Sequence, residues 1–132
     1  VLLTVCVEDR RPLLANETTH SLLLEAWDQA KTWRVGQYVI MPDHLHVFCA
    51  ASDLSFRLEQ WVRYWKSWSA RNWPDPSQTP VWQARHWDTR IRSVKHYQEK
   101  WDYVQNNPVR KGLVSQPEDW PFAGEIERLE WR

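Results

Sequence analysis

The sequence predicts an α+β fold, an antiparallel sheet with helices packed on one face. Three observations carry the prediction. β-prone and helix-periodic stretches alternate in the order β-α-β-β-α-β, with one more helix after them. A short Pro42-Asp43 turn joins two β-prone runs closely enough to pair them as an antiparallel hairpin. Finally, 132 residues with 42% hydrophobic and 26% charged side chains suit one domain, residues 1–132, large enough to bury a core.

Residues 1–7 form a continuous β-prone run. Asn16 reads as the N-cap of a helix over residues 17–32, with Leu22, Leu23, Ala26 and Ala30 on roughly one side. Residues 34–41 and 44–50 are the two hairpin strands. Ser52 or Asp53 can cap a second helix running to about Asn72, in which Leu54, Leu58, Trp61, Val62, Trp65 and Trp68 recur with helical spacing. Its other side carries Arg57, Arg63, Lys66 and Arg71. Residues 73–80, with three prolines, form a loop, and residues 81–93 read as an extended segment interrupted by charge. A third helix is expected over residues 94–106, because Pro108 restricts the residue before it and Gly112 opposes continuation. The tail, residues 114–132, holds a Trp120-Pro121 corner and one short final helix. This element order is that of the ferredoxin-like split βαβ arrangement.

The 17 basic and 17 acidic residues cancel, so any polyanion-binding surface must come from local clustering. The two cysteines, Cys6 and Cys49, have no CxxC spacing, which argues against a zinc knuckle or a disulfide framework and fits a reducing cytosol. No apolar run approaches the roughly 20 residues needed to cross a bilayer, and residues 1–7 lack the length and charged flank of a signal peptide. The expectation is a soluble cytoplasmic protein without a membrane partner. The chain starts with Val and is strand-like from residue 1, so further residues are expected ahead of it. Eleven tryptophans predict a core filled with large rings, since each can bury about 150–250 Å², with some left to stack on bases.

His44-Leu45-His46 begins the second hairpin strand. Side chains alternate across a strand, so both imidazoles project from one face and can grip a metal. Taken alone, the pair reads first as two surface or hydrogen-bonded histidines, and it does not choose an ion. Tyr103 and Asn107, four positions apart, share one side of a helix, with Asn107 near its end. A phenol with pKa near 10 is a poor nucleophile at neutral pH, and a divalent ion that polarises a phosphate lowers the demand on it. Spacing alone equally accommodates Tyr103 as a packing residue.

Four segments carry a more specific signal: Tyr38-Val-Ile-Met-Pro-Asp-His-Leu-His-Val, Val81-Trp-Gln-Ala-Arg-His-Trp-Asp, Asp102-Tyr-Val-Gln-Asn-Asn-Pro-Val-Arg-Lys-Gly-Leu-Val and Asp119-Trp-Pro-Phe. In this order, over about residues 35–122, they resemble the successive motifs of the REP-associated tyrosine transposases, relatives of the single-tyrosine HUH transposases of insertion sequences. The resemblance implies that His44 and His46 bind a divalent ion, Mg²⁺ or Mn²⁺, that Asn107 completes the metal site, and that Tyr103 is the nucleophile. Tyr103 would attack single-stranded DNA, giving a 5′-phosphotyrosine bond and a free 3′-OH that can later rejoin strands. It further implies a bacterial, nucleoid-associated enzyme whose partner is hairpin DNA from palindromic repeats with a single-stranded flank.

Arg57, Arg63, Lys66, Arg71, Arg85, Arg90, Arg92, Arg110 and Lys111 are the candidates for phosphate contact, each with a solvated surface charge as its plain alternative. Trp82 and Trp87 are assigned to the core, with base stacking as the other use. His86 departs from the aromatic residue expected there. Tyr97 is the rival nucleophile, six positions before Tyr103 and so on a largely different side of the helix. Tyr38 and Tyr64 match no nucleophile motif. A monomer acting in cis is preferred, with a homodimer possible. A non-catalytic hairpin-binding module and a water-using nuclease are the competing functions.

Overall fold

The computed structural model describes residues 1–131. Its strands are β1 (Leu2–Cys6), β2 (Trp33–Ile40), β3 (His44–Ala51), β4 (Trp87–Thr89) and β5 (Ala123–Glu125), and its α-helices are α1 (Glu17–Gln29), α2 (Leu58–Arg71), α3 (Val94–Gln105) and α4 (Asn107–Arg110). The strands form one antiparallel sheet in the order β4-β1-β3-β2-β5. Its first four members are arranged as the split βαβ pattern requires. No helix among the described residues is long and apolar enough to cross a membrane.

Both sheet faces are covered. Leu3, Val5, Val35, Ile40, Leu45, Val47 and Cys49 point to one side and pack against Leu23, Ala26 and Trp27 of α1 and Leu58, Trp61, Val62 and Trp65 of α2. On the other side Leu2, Val39, Met41 and Phe48 meet Val104, Tyr97 and Trp101 of α3. The expectation of helices on one face therefore holds for α1 and α2, while α3 covers the opposite face. The reason lies in β3: after His46 its residues are apolar at successive positions, a pattern suited to burial on both sides.

Tryptophans fill the first core as edge-to-face pairs. Trp65 lies 5.9 Å from Trp27, 6.0 Å from Trp61 and 5.5 Å from Trp82, ring centre to ring centre. Such pairs add about 0.5–1.5 kcal/mol beyond area burial.

Several boundaries differ from expectation. Asn16 caps α1 as expected, its Oδ1 accepting the Thr19 N–H at 2.8 Å. The helix ends at Gln29, not Thr32, because the following backbone is used elsewhere: Ala30 O accepts Trp61 Nε1 at 2.8 Å, and Thr32 O accepts the Ser52 N–H at 3.1 Å. α2 begins at Leu58 rather than beside Ser52 or Asp53. The Asp53 carboxylate caps the Ser55 N–H in a local turn, an alternative to helix that short polar side chains favour. Leu54 consequently stands 94% exposed, outside the helix its spacing suggested. Arg57 becomes the N-cap residue, its N–H donating to Gln60 Oε1.

The extended segment of residues 81–93 is broken. Trp82 forms an isolated bridge with Val7, Gln83 N–H donates to Cys6 O, and only Trp87–Thr89 joins the sheet, pairing with β1. The tail holds one 3-10 turn, Pro117–Asp119, and then β5, a strand the sequence did not announce. Its Ala-Gly-Glu sequence lacks β-branched residues. β5 pairs with β2 where Gly124 passes over Tyr38, and a Cβ on Gly124 would sit 2.8 Å from the Tyr38 hydroxyl.

Candidate active site

Strand alternation places His44, His46 and Phe48 on the α3 side of β3, with Leu45 and Val47 fully buried on the other. The two imidazole rings lie 4.9 Å apart, centre to centre, at 82°. Each ring is held through Nδ1. Asp43 Oδ1 is 2.7 Å from His44 Nδ1, and Thr4 Oγ1, in register on the neighbouring strand, is 2.8 Å from His46 Nδ1. Arg10 Nε donates in turn to Asp43 Oδ2 at 2.9 Å. With the Asp43 carboxylate accepting, His44 carries its proton on Nδ1 and keeps a lone pair on Nε2.

Asn107 approaches that lone pair, its Nδ2 3.2 Å from His44 Nε2. The helix break makes this contact: α3 ends at Gln105, Asn106 takes φ −88° and ψ 0°, and Asn107 opens α4. Pro108 is tolerated in that first turn, where no intrahelical N–H is needed. Gly112, at φ 72°, ends the turn in the left-handed region. Asn107 was expected in the same helix as Tyr103; it instead starts the next one.

Burial keeps the histidines neutral. It pulls His46 down to about 3, with lesser contributions from the nearby charges of His44 and Arg110. Burial also lowers His44, against the opposing pull of Asp43. Burial alone would raise Asp43, but the bonds from Arg10 and His44 hold it below the usual carboxylate range. Neutral imidazoles are the form that binds metals, and a carboxylate on the second ring nitrogen, as Asp43 supplies to His44, is the usual support. Rotating the Asn107 amide by half a turn would present Oδ1 in place of Nδ2. The residues present thus fit a divalent ion held by two nitrogens and one oxygen, although no group of three or more His, Cys, Asp and Glu stands together among the described residues.

Tyr103 is 63% exposed, and the Arg110 guanidinium carbon lies 3.9 Å from its ring centre, a cation–π contact. It is no packing residue. Among the described residues no hydrogen bond joins it to either histidine. Tyr97 packs in the second core, stacked on Trp131 at 5.2 Å and edge-on to Phe48. Tyr38 is buried, its hydroxyl 2.7 Å from His20 Nε2, and Tyr64 is exposed.

The nine basic candidates divide into three groups. Arg110 and Lys111 follow Asn107, close enough for their charges to lower the histidines' proton affinity. Arg85, Arg90 and Arg92 are exposed around edge strand β4. Arg57, Arg63 and Arg71 are exposed on α2, which packs on the sheet face away from the histidines, and Lys66 Nζ donates to Gln83 O at 2.6 Å, bracing the segment before β4. Trp82 is core, its Nε1 donating to Ser69 Oγ, whereas Trp87 is exposed and His86 half-buried.

Three supporting residues escaped the sequence reading. Asp43 was visible as a carboxylate beside His44. Thr4 becomes a partner only through the β1–β3 register, and Arg10 reaches Asp43 from a left-handed backbone at φ 53°, neither of which sequence spacing reports.

No protein-family model matches the chain. It is 28% identical over 123 residues to the REP-associated tyrosine transposase of Escherichia coli K12, covering 91% of this chain and 72% of that protein. A candidate protein of the same name from Haemophilus influenzae is 27% identical over 95 residues, 64% of this chain and 54% of its own length. A solved structure of the REP-associated tyrosine transposase bound to a REP hairpin superposes with a TM-score of 0.79 at 28% identity, over 92% of this chain and 73% of that one. In sequence and in fold, this chain is similar to the REP-associated tyrosine transposases.

Proposed function

We propose that the chain is a transposase acting on hairpin DNA, and that it cuts a single-stranded flank with Tyr103 beside a metal held by His44, His46 and Asn107. The observation that carries this reading is the convergence of two neutral imidazoles, each tied through Nδ1, with Asn107 at the start of α4, on the sheet face that also bears the tyrosine helix. The relative solved with a REP hairpin supports the substrate class.

The chemistry follows from the groups present. Tyr103 Oη attacks the phosphorus, the P–O3′ bond breaks, and the 3′-oxygen leaves and takes up a proton. The phosphate stays on the tyrosine as a 5′-phosphotyrosine diester, which a later 3′-OH reverses without an external energy source. A divalent ion such as Mg²⁺ or Mn²⁺, when bound, stabilises charge on the phosphate oxygens. Asp43 and Thr4 orient the imidazoles, and Arg110, against the Tyr103 ring, would meet the DNA phosphate that Tyr103 attacks. A monomer acting in cis is the preferred arrangement, since the tyrosine helix packs on the sheet of its own chain.

The test is cleavage of an end-labelled stem-loop with a single-stranded flank, in Mn²⁺, by the wild-type chain and by Tyr103→Phe. Cleavage by the wild type and none by the variant is expected. Equal cutting by both would mean that water is the nucleophile, and binding without cutting would mean a hairpin-binding module.

A further inference from the structure

The row of residues that crosses the sheet through His46 ends on an exposed indole. Val39 pairs with His46, His46 with Thr4, and Thr4 with Trp87. Directly opposed residues on neighbouring strands project from the same face. Trp87 therefore stands on the face of the histidine pair, two strand spacings or about 10 Å from His46. Thr4, between them, is the residue bonded to His46 Nδ1.

Trp87 differs from the tryptophans that build the core. Trp27, Trp61, Trp65, Trp73 and Trp82 are buried, whereas Trp87 is 54% exposed on the outermost strand of the sheet. A large apolar ring on an open edge invites unwanted strand pairing, so a fold that keeps one there has a use for it. The surrounding charge identifies the partner. Arg85, Arg90 and Arg92 are exposed along the same segment and form no salt bridge among the described residues. Asp88, the acid between them, pairs with Leu3 and so points to the other face. An aromatic plate among unpaired arginines matches a chain of phosphates and unpaired bases.

We infer that Trp87 is a stacking platform for an unpaired base of the single-stranded flank, with the exposed Arg85 and Arg92 on either side of β4 following the backbone. This rests on the proposed function, and it adds the path of the strand. From the histidine pair, 10 Å along the sheet spans about three nucleotides at the duplex rise of about 3.4 Å, and fewer in an extended strand. Since every base has a π-face, the platform sets affinity and path, not sequence.

The experiment measures anisotropy of a fluorescent GC-rich stem-loop carrying an oligo(dT) flank, against the same stem-loop without a flank and with abasic flank positions, all in EDTA. For the flanked probe, Trp87→Ala should weaken binding roughly five- to hundredfold, and Trp87→Phe should retain most of it. The flankless probe should bind wild type and both variants alike, which also reports that the variants are folded. One abasic position should reproduce the Trp87→Ala loss in the wild type and add nothing to it in the variant. Replacing flank thymines by 5-iododeoxyuridine and irradiating should cross-link a Trp87-containing peptide. If the wild type binds flanked and flankless probes equally, or Trp87→Ala keeps full affinity for the flanked probe, the platform is wrong while hairpin binding stands. A change only in oligomeric state on Trp87→Ala would mean that the edge meets a second copy. No binding of any probe by the wild type would remove the functional reading and the platform together.

Discussion

Asn107 brings its side-chain nitrogen to 3.2 Å from Nε2 of His44 across 63 positions of sequence, and it is one of few buried polar residues among the described residues, 6% exposed. A buried amide needs a partner, and here the partner is the lone pair that a metal would take. Asn107→Ala should therefore weaken Mn²⁺ binding about tenfold in titration calorimetry, the effect expected for losing one supporting group. Asn107→Asp, which supplies a carboxylate oxygen, should improve Mg²⁺ relative to Mn²⁺. Unchanged affinity in both variants would place the ion elsewhere.

Asp43 acts at one remove, through His44 Nδ1. Asp43→Asn keeps the shape but allows the amide to donate to Nδ1, moving the imidazole proton to Nε2, where an ion must bind. Mn²⁺ affinity should fall roughly 10- to 100-fold with little change in thermal stability. A large loss of stability with normal Mn²⁺ affinity would assign the pair to folding alone.

His20, His44 and His46 all have folded-state proton affinities below the ordinary value of 6.5, His46 down to about 3. In each case burial is the leading cause. Above pH 6.5 these groups are neutral folded or unfolded and leave stability unchanged. Below it the unfolded chain takes up protons that the folded chain refuses, so stability falls with acid from about pH 6.5 toward pH 3. Tm should decline through this window, and more gently in His46→Asn. An equal slope in that variant would show that His46 titrates normally.

The tryptophan core gives a stability prediction independent of the site. Trp65 is fully buried among Trp27, Trp61 and Trp82. Trp65→Ala should destabilise by about 3–5 kcal/mol in urea denaturation. Trp65→Phe should lose much less, because it also removes a buried indole N–H that has no hydrogen-bond partner among the described residues. At the other extreme, Leu54→Ser should fall within about 0.5 kcal/mol of wild type.

What could be read in advance was what depends on near neighbours in sequence. The Asn16 cap, the His44/His46 alternation and the Pro42-Asp43 turn are local, and the structure keeps all three. What could not be read depended on distant pairing. Thr4 meets His46 only because β1 lies beside β3, and β5 exists only because β2 offers it an edge. Leu54 misled because helical spacing cannot report that Asp53 prefers a turn. At Asn107 the sequence reading named the residue but put it in the wrong helix: four-residue spacing suggested one continuous face with Tyr103, while the break at Asn106 turns Asn107 inward and leaves Tyr103 outside under Arg110.

A covalent bond between Tyr103 and DNA is the most direct mark of the proposed chemistry. The chain would be incubated with a flanked stem-loop and Mn²⁺, the mixture denatured and digested, and the peptides analysed by mass spectrometry. The expected product is a peptide carrying a nucleotide 5′-phosphate on Tyr103, absent in EDTA and absent in Tyr103→Phe. Cleaved DNA with no tyrosine adduct, or an adduct on Tyr97, would contradict it.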